Sequence, residues 1–168
     1  LARAYVNLAR VSSLRRETVA DPFCGVGGFV LEACWMGLRC ICIDIDKRMI
    51  EGAHVNTYGY ECDNVIDLIH GDATLLPLRG LSVEGIATDP PYGRQSVPRG
   101  YTLPMLLSRF IDAAREILKS KRFMVFAAPI ALDSVIMSKL GEVGFNVVEK
   151  HLDWVHGALT RVIYVVQA

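Results

Sequence analysis

The stretch Thr18-Val19-Ala20-Asp21-Pro22-Phe23-Cys24-Gly25-Val26-Gly27-Gly28 decides the class of fold. Thr18 to Ala20 is short, β-branched and apolar, and reads as a strand. Asp21 to Gly28 is a glycine-rich turn, and Phe29 to Met36 has helical spacing, with Gly37 placed to end the helix as a C′ residue. Strand, glycine turn and helix form the opening half of a nucleotide-binding unit, in which bare backbone approaches a ligand at a helix N-terminus. The dinucleotide fingerprint G-x-G-x-x-G is broken, because Val30 stands where the third glycine would follow Gly25 and Gly27. Asp21, ahead of the glycines, suits a positively charged ligand better than a pyrophosphate. The motif therefore leans toward S-adenosylmethionine and away from NAD.

Working outward, Leu1 to Val11 reads as a helix with Leu1, Tyr5 and Leu8 on its apolar face, joined by Ala4 and Val11. Arg39 to Asp46 is a second strand, and Asp44 with Ile45 falls where doubly wound folds hold ribose hydroxyls. Lys47 to Tyr58 is a helix stopped by Gly59. Asn64 to Ile69 is a third strand followed by Gly71-Asp72-Ala73, where Asp72 is placed to accept from an adenine amine. Val83 to Ala87 is a fourth strand, running into Thr88-Asp89-Pro90-Pro91-Tyr92-Gly93. Taken singly, each of these acids reads as a cap or turn residue. At consecutive strand ends they collect on the edge where open α/β sheets bind ligands. Residues 93–100 read as a mobile loop, Leu103 to Lys119 as a long amphipathic helix, Phe123 to Ala128 as a fifth strand, and Ala131 to Leu140 as a helix ended by Gly141. Phe145 to His151 and Arg161 to Val166 are the last strands, joined by Leu152 to Thr160. The expected architecture is α/β and Rossmann-like: a mostly parallel sheet with an antiparallel last strand and helices on both faces.

The two prolines at 90 and 91 fix two φ angles and remove two backbone donors, so the chain leaves its strand in a rigid turn. That turn presents the Asp89 carboxylate, the Pro90 carbonyl directed by Pro91, and the Tyr92 ring. Such a set suits a planar base with an exocyclic amine, whose N–H groups the oxygens accept while the ring stacks. The same four residues also read as a strand-ending turn with a surface tyrosine.

A chain of 168 residues is expected to form one domain, residues 1–168, and 52% hydrophobic with 21% charged residues excludes disorder. No apolar run reaches the ~18 residues of a membrane span, and Leu1-Ala2-Arg3 does not resemble a signal peptide, so a soluble, cytoplasmic protein is expected. Cys24, Cys34, Cys40, Cys42 and Cys62 lack metal-ligand spacing, and reduced, mostly buried thiols with no metal are expected. Net charge is zero, against a stand-alone nucleic-acid binder. Asp21 to Asp89 holds eleven acids against four bases, whereas Arg94 to Arg122 holds seven bases against Asp112 and Glu116. An acidic middle between basic flanks suits a cationic cofactor in one place and a polyanion in another. Solvated helix faces account for it equally.

The motifs resemble class I methyltransferases and, more narrowly, the tRNA guanosine-10 N2-methyltransferases. The likeness covers nearly the whole chain: residues 1–9, Asp21 to Gly28, Asp44-Ile-Asp46, Gly71-Asp-Ala-Thr74, Asp89 to Gly93, and His156-Gly-Ala-Leu-Thr-Arg161. Ala158 departs from the serine more usual there. The resemblance implies a seven-stranded sheet and S-adenosylmethionine as cofactor. Asp21 with Phe23, Gly25 and Gly27 would hold the methionine end, Asp44 and Ile45 the ribose, and Asp72 and Ala73 the adenine. Asp89, Pro90, Pro91 and Tyr92 would be catalytic, with Asp89 also beside the cofactor. The family usually carries an N-terminal THUMP-containing region, so capture of tRNA is expected to lie outside these residues. An adenine-N6 or other nucleobase enzyme on RNA or DNA, an NAD-type dehydrogenase and an inactive cofactor-binding partner subunit are the alternatives.

Overall fold

The computed structural model describes residues 1–92, 100–156 and 159–168. Its elements are α1 (Ala2–Leu8), β1 (Thr18–Asp21), α2 (Gly28–Trp35), β2 (Arg39–Asp44), α3 (Lys47–Gly59), β3 (Ile66–His70), β4 (Val83–Thr88), α4 (Leu103–Ile117), β5 (Leu118–Pro129), α5 (Asp133–Glu142), β6 (Asn146–His156) and β7 (Leu159–Gln167). The seven strands form one sheet in the order β3-β2-β1-β4-β5-β7-β6. β1 to β5 pair in parallel, and β7 runs antiparallel between β5 and β6. This is the expected mostly parallel sheet with an antiparallel last strand.

Strand residues alternate between two cores, as the two-residue period of a strand requires. Val19, Ala87, Val125 and Ile163 pack with α1, α2 and α3 on one face. Ala20, Ile86, Phe126 and Tyr164 pack with α4 and α5 on the other. Both helix layers cover a sheet whose strands are apolar on both sides. Local signals place the helix ends: Asp46 caps α3 by accepting from the Arg48 N–H at 2.9 Å, and Gly37 takes φ +77° after α2.

Several expectations are corrected. α1 buries Tyr5 and Val6, with Ala9 just past its end also buried, while Leu1 and Ala4 are exposed, because the helix lies against β4 and β5 as well as α2. α4 stops at Ile117, since Leu118 already pairs with Val83 as the start of β5. Gly141 lies inside α5, and Gly144, at φ +80°, makes the turn instead. β6 and β7 extend their ladder to the pair His156↔Leu159, so most of the expected connection at residues 152–160 is strand. The mobile loop expected at 93–100 lies outside the described residues except Gly100.

Four of the five thiols are not reduced. Cys24 is bonded to Cys42 and Cys34 to Cys62, and Cys40 is the free, buried cysteine. The glycine turn folds back over β2, leaving the Cα atoms of Cys24 and Cys42 5.4 Å apart; those of Cys34 and Cys62, near the ends of α2 and α3, are 6.1 Å apart. Separations of 18 and 28 residues conceal pairings that only the packing of α2 and α3 on the sheet creates. Burial pushes the Cys40 thiol up to about 12.

Candidate active site

β1 to β4 run parallel, so their carboxyl ends share one edge, and the strand order reverses between β1 and β4. In open α/β sheets that reversal is where ligands bind. Asp21 closes β1, Asp44 closes β2, Asp72 follows β3, and Asp89 follows β4. The structure therefore brings together the four acids singled out in the sequence.

Gly25 and Gly27 have φ of +53° and +94°, conformations that side chains strain to adopt. Among the described residues a Cβ on Gly25 would meet nothing within 4 Å, so this turn is open on that side. The Gly25 N–H donates to Asp44 Oδ2 at 2.9 Å and the Asp46 N–H to Asp44 Oδ1 at 2.9 Å. Asp44 is thus fixed by backbone amides, each oxygen retaining a lone pair. Ile45 is exposed beside it, its carbonyl 3.0 Å from His70 Nε2. Asp72 Oδ1 accepts from the Thr74 N–H at 2.8 Å, Ala73 is buried, and the Tyr101 hydroxyl lies 3.0 Å from Thr74 Oγ1. Phe23 meets Phe110 edge-on at 5.1 Å.

Asp21 is buried beneath the turn. Its Oδ1 accepts from Thr88 Oγ1 at 2.6 Å and from the Phe23 N–H at 3.2 Å, while Oδ2 has no hydrogen-bond partner among the described residues. Burial raises its pKa to about 7; the Thr88 and Phe23 bonds oppose the rise, and the Asp44 and Asp89 charges add to it.

Asp89 is half-buried and held. Arg161 Nη1 donates to Asp89 Oδ1 at 2.9 Å and to Oδ2 at 2.7 Å, Arg161 Nη2 donates to Asp153 Oδ2 at 2.6 Å, and the guanidinium carbon lies 5.0 Å from the Tyr92 ring centroid. Burial lifts the Asp89 carboxyl above the ordinary range, with Arg161 pulling it down and Asp153 pushing it up. Burial also works against the Arg161 charge, but Asp153 and Asp89 outweigh it and hold the guanidinium firmly protonated. Tyr5, fully buried on α1, is raised by desolvation and then by the Asp89 charge. Pro90 is buried, Pro91 half-buried, and Tyr92 exposed at the rim of a cleft of about 740 Å³ lined also by Tyr101, Leu103, Pro129 and Leu132.

Sequence reasoning assigned no role to Thr88, Asp153, Tyr5 or Arg161. Arg161 left one clue: a cation opening the apolar run Val-Ile-Tyr-Val-Val must find buried acids. Which acids they are depends on β7 returning beside β5.

The sequence matches the RMKL-like, methyltransferase domain family over residues 1–163. It is 38% identical, over 99% of its length, to the tRNA (guanine(10)-N2)-dimethyltransferase of Methanothermobacter thermautotrophicus, and 36% identical over all of it to that of Pyrococcus abyssi. It covers 48% and 49% of those chains, about half the length of each relative. The crystal structure of TrmN from Thermus thermophilus superimposes with a TM-score of 0.83 at 22% identity, over 99% of this chain and 48% of that one, a likeness of fold. With a glycine turn at the switch point, acids at four neighbouring strand ends and Asp-Pro-Pro-Tyr beyond the fourth, the chain belongs to the RMKL-like methyltransferase domain family.

Proposed function

We propose that this domain transfers a methyl group from S-adenosylmethionine to the exocyclic N2 amine of a guanosine in tRNA. The observation that carries the proposal is the placement of Asp89, and of Tyr92 at the mouth of a cleft, on the same sheet edge as the Gly25–Asp44 cradle. The relatives named above are tRNA guanine-N2 enzymes.

The cradle fits the cofactor on its own chemistry. The Asp21 oxygen that has no partner among the described residues suits a cationic amine, the open Gly25 turn leaves room for a ligand against bare backbone, and Asp44 retains lone pairs for two hydroxyls. Asp72 with Ala73 would take the adenine. When bound, S-adenosylmethionine supplies an electrophilic methyl on a sulfonium.

The guanine N2 lone pair is delocalised into the ring, and the protein's task is to turn it outward. Asp89, with the Pro90 carbonyl, would accept the two N–H bonds, while Tyr92 stacks on a base drawn out of its helix, since a paired N2 is out of reach. The nitrogen would gain the methyl as the carbon–sulfur bond breaks and would lose a proton to water, and the Asp89 carboxylate would stabilise the positive charge on the amine before that proton leaves. Positioning does most of the work. Capture of the tRNA by a domain outside residues 1–168 and a cytoplasmic location belong to the same proposal; no helix among the described residues is long and apolar enough to cross a membrane.

The test is single-turnover methyl transfer to a tRNA carrying guanosine, inosine or adenosine at the target position. Inosine lacks the N2 amine, so label should enter the guanosine tRNA alone. Methylation of the inosine tRNA at that position refutes N2 chemistry, and methylation of the adenosine tRNA favours an N6 enzyme.

A further inference from the structure

Arg161 is 3% exposed, yet it makes contact with both ends of the Asp89-Pro-Pro-Tyr92 turn. It grips the carboxylate through two hydrogen bonds and faces the ring at 5.0 Å. Both bonds to Asp89 come from one nitrogen, Nη1, so each carboxylate oxygen keeps a lone pair for a substrate N–H. A buried guanidinium needs an acid, and Asp89 alone would meet that need. The second acid, Asp153, at 2.6 Å from Nη2, calls for its own explanation. Asp89 and Arg161 together sum to zero charge, whereas Asp89, Arg161 and Asp153 sum to −1.

Resting on the reading of Asp89 as the acceptor for the amine, we infer that Arg161 is a positioning residue for the transfer. It fixes the plane of the Asp89 carboxylate and the set of the Tyr92 ring, and Asp153 restores the negative charge that Arg161 removes from the site. One face of Tyr92 is given to the guanidinium, and the ring also lines the cleft in which the base would stack. Lysine cannot reproduce this: its single ammonium lacks the planar fork needed to serve both carboxylates and lie against the ring.

Among the described residues, the groups facing Asp89 are Arg161 on β7, Asp153 on β6, Tyr5 on α1 and Asp21 at the end of β1. Arg161 and Asp153 act on its ionisation with opposite sign. Removing the first should raise the pH at which Asp89 titrates, and neutralising the second should lower it.

The test uses the full chain as wild type, Arg161→Met, Arg161→Lys and Asp153→Asn. The Asp89 carboxyl carbon is followed by ¹³C NMR titration without cofactor, beside S-adenosylmethionine affinity by calorimetry and single-turnover rate on guanosine tRNA. Arg161→Met should titrate higher than wild type, because it lacks the adjacent guanidinium that favours the carboxylate. Asp153→Asn should titrate lower than wild type. Arg161→Lys should titrate near wild type yet transfer methyl ~100-fold more slowly, the scale of losing a positioned contact, with cofactor affinity unchanged. Should Arg161→Met fail to fold, the lysine and Asp153 variants still decide. Wild-type rate in Arg161→Lys, or an Asp153→Asn titration at or above wild type, overturns the inference. An inactive wild type whose variants titrate as expected strikes the functional reading and leaves the arrangement of charges standing.

Discussion

Asp21 shows how one side chain links fold, cofactor and pH. Its carboxyl is buried with one oxygen unpartnered among the described residues, and its pKa is raised to about 7. In the unfolded chain an aspartate loses its proton near pH 4. Between those values the folded state keeps a proton that the unfolded state has lost, so the stability Asp21 confers is whole below about pH 4 and is lost as pH rises through about 7. Asp21→Asn, which cannot ionise, should be more stable than wild type above pH 7 by about 1–3 kcal/mol, the usual cost of an unsatisfied buried group. Urea midpoints should show the gap closing toward pH 5; a gap independent of pH rejects the assignment. A cationic ligand at the turn draws off the same proton, so calorimetry in buffers of differing protonation enthalpy should detect proton release on S-adenosylmethionine binding near pH 7, absent in Asp21→Asn. The acid itself was legible, because an aspartate before a glycine turn is a chemical signature. Its Thr88 partner was not, because that contact crosses from β1 to β4 and no local pattern marks it.

Among elements, the passage of Ala9 to Val11, just beyond α1, over β4 depends on a missing side chain. Gly85 lies within β4, and a Cβ there would stand 2.3 Å from Val11 Cγ2 and 3.5 Å from Ala9 Cβ. Gly85→Ala should destabilise the fold by about 1–3 kcal/mol, the range for overpacking, and Val11→Ala in the same chain should recover most of the loss. Denaturant melts of the two variants check it; a double mutant no better than the single shows that the strain lies elsewhere. Nothing in Val83-Glu-Gly-Ile-Ala-Thr88 announces this crossing. The period of the strand was readable, and the identity of what passes over it was not. The same limit moved the buried face of the opening segment from Leu1, Tyr5 and Leu8 to Tyr5, Val6 and Ala9: the small residue wins where backbones approach closely. The ends of α4 and β6 shifted for a related reason, since ladders between distant segments override local helix and loop signals.

For the molecule as a whole, alternating strands and helices sufficed to foresee the parallel sheet, and two successive strands at the end foresaw the antiparallel insertion. Disulfides and the Arg161 cluster escaped because each joins segments that meet only after the sheet is assembled. With zero net charge, and about half the length of its tRNA-modifying relatives, the chain should hold tRNA weakly. Binding isotherms across salt should give a slope of about −2 to −3 in log affinity against log salt, as for two or three phosphates neutralised. A slope several times steeper would place the main RNA-binding surface within these residues. The position of β7 also sets a timetable. During synthesis the four acids at the strand ends have all been made by residue 89, but β5 keeps an unpaired side and β6 has no partner strand until residues 159–167 arrive to lie between them. The ribosome therefore delivers all four acids before Arg161, and a nascent chain short of Arg161 has the Asp89 carboxylate without its guanidinium partner.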